Sequence, residues 1–239
     1  MAPDYSIVVP VFNEEGAAAS LAREIASAFA GEACEIVFVD DASTDGTRAG
    51  LMALKAALPM LRVIAHGRNA GQSQAIRSGV LAARAPIVVT LDGDGQNDPA
   101  DAPRMAVRLK QAAPNLGMVS GLRMGRRDSL AKRWASRAGN GLRRRLLKDG
   151  ARDTGCGLKA FRREAYLRLP YFDHQHRYLP ALFAREGYEI AFEPVGHRAR
   201  LHGVSKYTNL GRLLVSAPDL FGVLWLISRA RGAGAIEEL

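Results

Sequence analysis

The 239-residue chain is poor in cysteine, in aromatic residues and in long apolar runs, and each shortage removes a class of protein. Two cysteines, Cys34 and Cys156, build no disulfide framework; they suit a reducing compartment, as a small core residue and a small residue in a Gly-flanked loop. Aromatics make up 7%, and between Arg123 and Lys148, where ten Lys/Arg meet one acid, Asp128, the single aromatic is Trp134. Nucleic-acid modules pair such charge with stacking rings or a recognition helix, so no nucleic-acid partner is expected. No uninterrupted apolar stretch approaches the roughly 20 residues that cross a bilayer, and Pro218-Asp219 interrupts the best candidate. The opening residues, Met-Ala-Pro-Asp-Tyr, lack the basic and apolar regions of a signal peptide. No Gly-x-Gly-x-x-Gly turn follows the first apolar run, where Val11-Phe12-Asn13-Glu14-Glu15 stands instead, which argues against a dinucleotide oxidoreductase.

What is present is a core-forming chain, 48% hydrophobic, with a net charge of +9 that calls for an anionic partner: a membrane surface or a phosphorylated substrate. Residues 5–11 and 35–39 are β-branched runs, each stopping at a polar loop before a helical pattern; 61–65 and 86–91 repeat the scheme, and a further strand is expected at 117–120. Strands alternating with helices predict a single α/β domain with a mostly parallel sheet, whose carboxyl-end loops share one ligand-binding edge. The fourth run ends in Asp92-Gly93-Asp94-Gly95-Gln96-Asn97-Asp98-Pro99. Two carboxylates and an amide delivered together suit Mg2+ or Mn2+, which take oxygen ligands and keep positions for water and phosphate. The same residues are also ordinary turn formers.

The motifs Pro10-Val11-Phe12-Asn13-Glu14-Glu15, Val39-Asp40-Asp41-Ala42-Ser43-Thr44-Asp45-Gly46-Thr47, Asn69-Ala70-Gly71-Gln72-Ser73, Asp92-Gly93-Asp94-Gly95-Gln96, Asp153-Thr154-Gly155-Cys156-Gly157 and Arg200-Leu201-His202-Gly203-Val204-Ser205-Lys206-Tyr207 stand in one order from residue 10 to 207. In that order the chain resembles the family 2 glycosyltransferases, and within them the dolichol- and polyprenyl-phosphate sugar transferases. The resemblance implies a GT-A fold, a Rossmann-like mostly parallel sheet flanked by helices. It also implies an inverting, metal-dependent transfer of one sugar from a nucleotide-diphosphate-sugar donor to polyprenyl phosphate.

By that resemblance Pro10, Phe12, Glu14, Asp40 and Asp41 form the base and ribose pocket, with Asp40 open to a structural role, and Asp92 joins nucleotide and metal. Asp92, Asp94 and Gln96 are the metal ligands, bound to Mg2+ or Mn2+. The family often has Ala and Leu where Gly93 and Gly95 stand, which predicts a more flexible loop here. Arg123 and Arg200 are matched to phosphate-side arginines, with Ser205 and Lys206 adding a donor and a charge. Arg133 or Arg137 is a further candidate for an acceptor phosphate. Asp153 is the candidate catalytic carboxylate, either a base for a sugar hydroxyl or a structural group capping the Leu158–Leu169 segment. His174 and His176 lack the further ligands of a zinc site. The processive signature Gln-x-x-Arg-Trp is absent, because Leu130 precedes Arg133-Trp134, so single-sugar transfer is expected.

The expected layout is a transferase domain over 1–209 and an amphipathic segment over 210–239. Leu213, Leu214, Ala217, Leu220, Phe221, Leu224 and Trp225 recur there at helical spacing. That segment is either a docked core helix or a helix in the headgroup region; Trp225, Arg229 and Arg231 fit the second, with the protein peripheral on the inner face of the cytoplasmic membrane. The alternative activity is a soluble family 2 transferase acting on a sugar hydroxyl of a glycolipid or surface polysaccharide. A scaffold without activity, binding lipid or nucleic acid, is the reading from another class.

Overall fold

The computed structural model describes residues 2–124, 143, 145–147, 149–151, 153–199 and 209–230, with the backbone alone for 209–217. Its strands are β1 (Tyr5–Val11), β2 (Cys34–Asp40), β3 (Leu61–Ala65), β4 (Ile87–Thr90), β5 (Leu116–Arg123), β6 (Lys159–Arg162) and β7 (Glu189–Val195). The helices are α1 (Glu15–Ala28), α2 (Thr47–Ala53), α3 (Gln72–Ala82), α4 (Ala102–Gln111), α5 (Arg163–Leu167), α6 (Leu179–Arg185) and α7 (Asn209–Ser228).

One seven-stranded sheet runs β3-β2-β1-β4-β6-β5-β7. Its pairs are parallel except where β6 lies antiparallel between β4 and β5. Burial on both faces explains the unbroken apolar runs of β1 and β2. Alternation along β1 sends Ile7 and Val9 to one core with α1 and α4, and Val8 to another with α3, α5 and α6. The chain leaves β1 to one side for β2 and β3, then crosses to the other side for β4, so a crevice opens beyond Val11 and Thr90.

Adjacent residues at the far end of β6 serve opposite faces. Arg162 donates to the carbonyls of Leu109, Ala112 and Ala113 at the end of α4, and Arg163 to those of Val80 and Leu81 at the end of α3. Each guanidinium thus satisfies orphan carbonyls at the negative end of a helix. Also at the amino end of the strands, buried Glu35 accepts from Ser6, Arg62 and the Arg84 amide. Burial pushes its carboxyl upward, but these bonds prevail and hold it below its ordinary value.

One expectation changes. The Leu158–Leu169 segment opens as strand β6 before α5, so Asp153 caps no helix there. Pro218 lies inside α7 without ending it, in keeping with the helical spacing of the apolar positions on either side. Its ring removes one backbone donor, while Val223 is fully buried and Leu220 and Leu224 pack on the second core, which outweighs that loss. No helix of the described residues is long and apolar enough to cross a membrane.

α7 therefore has a docked face and an outer one, where Phe221 is 72% and Trp225 59% exposed. Arg185 donates from Nε to the Leu226 carbonyl and fastens its last turn to α6. Val223→Asp should cost at least about 3 kcal/mol in urea unfolding, since it places an unpaired charge in the core. Trp225→Ala should stay within about 0.5 kcal/mol of the wild type; the reverse ranking would show that the outer face is the packed one.

Candidate active site

The crevice is built where β1 and β2 end. Asn13 and Ala42 turn the chain through positive φ, 53° and 63°, a conformation that surrounding bonds must hold in place. Here the Asn13 amide donates to Ser43 Oγ at 3.0 Å, its Oδ1 accepts from the Thr44 amide at 2.8 Å, and the Glu14 amide donates to Thr47 Oγ1 at 2.8 Å. The two loops are thereby laced into one wall, with Pro10, Phe12 and Glu14 half-buried along it.

Asp40 and Asp41 serve that wall differently. Fully buried Asp40 accepts from the Ser43 amide and from Arg48 Nε. Burial pushes its carboxyl upward, yet the bonds from Ser43 and Arg48 win and lower it. The Asp41 carboxylate receives the amides of Ala70 at 2.9 Å and Gly71 at 2.8 Å, and meets His66 Nδ1 at 2.7 Å. It folds the loop before α3 over the crevice and delivers Gln72 to the acidic loop.

Asp92 is the centre of that loop. Its amide donates to buried Asn97 Oδ1 at 3.0 Å, and its Oδ1 accepts from Gln72 Nε2 at 2.8 Å. Asp94 accepts the Gln96 amide at 3.1 Å, while Gln96 Nε2 donates to the Arg198 carbonyl at 3.4 Å. With its nitrogen anchored, Oε1 is the atom of Gln96 with ligand chemistry. Asp98 stands apart, accepting from the Ala100 amide and from Arg198.

Burial first, and the charge of Asp94 second, push the Asp92 carboxyl above its ordinary value, against the opposing pull of Lys159, Arg123 and Gln72. Neighbouring carboxylates with hard oxygen donors fit Mg2+ or Mn2+. Among the described residues no group of three or more His, Cys, Asp or Glu is assembled for a metal. A cation held here would take its remaining ligands from diphosphate and water.

Glycines fix the approach. A Cβ on Gly157 would stand 2.2 Å from the Asp92 carboxylate, and one on Gly93 2.6 Å from the Pro10 carbonyl. Gly93 is thus a point of close packing; looseness at this position does not follow from its lack of a side chain. Gly95, at φ +72° with open space around it, is the residue that turns the loop.

Arg123 and Asp153 meet as a bidentate pair, Nε to Oδ2 and Nη2 to Oδ1 both at 2.7 Å, each side chain 14% exposed. The Gly155 amide adds a bond to Oδ1 at 3.2 Å. This geometry suits Asp153 to orienting the guanidinium beside the acidic loop. Arg200, Ser205, Lys206, Arg133 and Arg137 lie outside the described residues, as does most of the basic stretch between Arg123 and Lys148.

On the α3 side, Ser73 Oγ meets His176 Nδ1 at 2.7 Å, and His174 Nδ1 lies 3.3 Å from Asp219 on α7. Burial, with the charges of Arg177 and Lys159 adding to it, holds His176 well below the ordinary imidazole range, so it is a neutral partner of Ser73. The histidines brace the loop before α6.

Gln72, Asn97, Gly157 and Lys159 escaped the sequence reading as site residues. Gln72 and Gly157 lay within motifs that were recognised, but their contacts cross 20 and 65 positions respectively. Lys159 shows only as a lone charge beginning a short strand.

The strand order, the crevice and the acidic loop define a GT-A scaffold. Solved structures agree. Glucosyl-3-phosphoglycerate synthase from Mycobacterium tuberculosis, in complex with Mn2+, UDP and glucosyl-3-phosphoglycerate, matches with TM-score 0.69 at 18% identity, over 97% of this chain and 82% of that one. A mannosyltransferase from Pyrobaculum calidifontis, in complex with GDP-Man and Mn2+, matches with TM-score 0.63 at 20% identity, over 99% and 77%.

The signature of Glycosyl transferase family 2 spans residues 6–169, and the chain belongs to that family. Dodecaprenyl-phosphate galacturonate synthase of Rhizobium johnstonii is 34% identical over 94% of this chain and 67% of its own length. Undecaprenyl-phosphate 4-deoxy-4-formamido-L-arabinose transferase of Pseudomonas paraeruginosa is 38% identical over 90% of this chain and 63% of its own. The chain thus spans about two thirds of the length of these curated relatives.

If Asp153 acts through Arg123, the two are one unit. Arg123→Ala and Asp153→Ala should each cost about 3–5 kcal/mol, and the double variant little more than either. Urea unfolding of the four proteins measures this, and additive losses would separate the pair.

Proposed function

We propose that this chain transfers a single sugar, with inversion, from a nucleotide-diphosphate donor to a polyprenyl phosphate at the inner face of the cytoplasmic membrane. The observation that carries the reading is half-buried Asp92, its carboxyl raised by burial and by the neighbouring charge of Asp94, beside the switch-point crevice. The names of the relatives, two polyprenyl-phosphate sugar transferases, supply the acceptor class.

In this reading the base and ribose lie along Pro10, Phe12 and Glu14, within the wall that Asp40 and Asp41 brace. Asp92, Asp94 and Gln96 hold Mg2+ or Mn2+, which offsets the charge that grows on the departing diphosphate. Arg123, oriented by Asp153, adds charge for the diphosphate, and the family motif that holds Arg200, Ser205 and Lys206 supplies the further phosphate-binding groups of this reading. An acceptor oxygen attacks the anomeric carbon as the bond to the diphosphate oxygen breaks on the opposite face.

The pairing of Asp153 bears on the acceptor. A sugar hydroxyl must lose a proton as it attacks and needs a positioned base, whereas a lipid phosphate is already ionised. With both carboxylate oxygens bonded to Arg123, the geometry favours the phosphate. The outward Phe221 and Trp225, followed by Arg229, support an anionic membrane surface as the place of reaction.

A thermal-shift screen of UDP-, GDP- and dTDP-sugars with Mn2+ identifies the donor; one present at 100 times its Kd should add about 2.7 kcal/mol. Asp94→Ala should abolish that metal-dependent gain and Asp98→Ala should keep most of it; equal gains in Asp94→Ala would refute the metal assignment. Radiolabelled donor offered to undecaprenyl phosphate and to glycan acceptors then decides between phosphate and hydroxyl.

Liposome flotation tests the surface. The Phe221→Ala/Trp225→Ala double variant should leave anionic vesicles while its donor-induced shift persists. Undiminished flotation would place the contact elsewhere.

A further inference from the structure

Lys159 opens β6 at the edge where β4 runs into Asp92. In register it faces Thr90 on β4 and Ser120 on β5, and it is only 4% exposed. Its ammonium donates to the Cys156 carbonyl, one residue before the Gly157 that makes room for the Asp92 carboxylate. Thr90 Oγ1 donates to the Gly157 carbonyl at 2.8 Å and fastens the same turn to β4.

An ammonium taken out of water is costly and is normally matched by a carboxylate in contact. Among the described residues no carboxylate makes an ion pair with Lys159; burial lowers its ammonium below the ordinary lysine range, and the charges of Asp92 and Asp153, both within electrostatic reach, pull against that shift and favour the charged form. Asp153 is already matched by Arg123. The charge of Lys159 is therefore spent through space, on the Asp92 and Asp94 loop. It partly compensates those carboxylates before any cation arrives, and it repels a cation that arrives alone. A nucleotide diphosphate reverses the balance, because its own negative charge is attracted by the same ammonium.

We propose that Lys159 is a positioning residue whose internal charge biases the order of loading: it lowers affinity for the bare cation and raises affinity for the diphosphate, so that the cation enters with the nucleotide. This rests on the donor-site reading above. The direct attraction between cation and diphosphate is a separate, reciprocal coupling.

The test is Mn2+ titration by electron paramagnetic resonance at pH 8, alone and with UDP or GDP, on the full chain. Wild type is compared with Lys159→Met, Lys159→Gln and Lys159→Arg. Met and Gln should each bind Mn2+ alone about tenfold tighter, equivalent to about 1.4 kcal/mol, and in calorimetry bind metal-free UDP or GDP about tenfold more weakly. Arg, which keeps the charge, should behave like wild type.

Gln retains a donor for the Cys156 carbonyl without the charge. A Gln variant that titrates like wild type would therefore overturn the proposal and leave Lys159 as a tie for the turn. Weaker Mn2+ binding in Gln, with and without nucleotide, would overturn it as well. Should Met fail to fold, as a thermal melt would show, Gln and Arg still decide. A wild type whose Mn2+ binding ignores both nucleotides would instead remove the donor-site reading itself.

Discussion

The structure turns on one electrostatic constraint: half-buried Asp92 is held beside a second acid, Asp94, and burial and that neighbour both raise its carboxyl above its ordinary value. Asn97 fixes the backbone of Asp92, Gln72 fixes its side chain, and Gly157 clears the space that it occupies. These supports come from the acidic loop, from α3 and from the turn before β6. The wall and the helix that carry them are folded around Asp40 and Asp41.

Two buried carboxylates show what a settled acid looks like in this protein. Glu35 and Asp40 are both surrounded by donors, with an arginine at hand, and both are held below their ordinary values in spite of burial. Asp92 has the opposite balance. The contrast separates acids that hold the scaffold from the acid that the proposed function assigns to the metal. Asp41 is intermediate in kind: its bonds to Ala70, Gly71 and His66 shape a loop, and the loop shapes the site.

Much of the scaffold was legible in the chain. The runs at 5–11 and 61–65 coincide with β1 and β3, and the other early strands differ only at their ends. Their signal is strong because both faces of the sheet are buried, which forces unbroken β-branched sequence. β6 was hidden by its length and by Lys159 and Arg162 within four residues. The family motifs named the acidic loop and Asp153, and the fold brings both near Arg123, but the Arg123–Asp153 pair joins side chains 30 positions apart, which no spacing rule anticipates.

The antiparallel insertion of β6 has a consequence for how the chain is made. β1 to β4 can associate as soon as they emerge, yet one side of β4 then offers unpaired amides and carbonyls until β6, whose register joins Thr90 to Lys159, is available. An uncovered strand edge of Ile-Val-Val-Thr is a template for the wrong neighbour. Nascent chains are thus most exposed to aggregation while residues 91–158 are being added, and insertion of β6 ends that interval and completes the sugar-donor crevice in the same event.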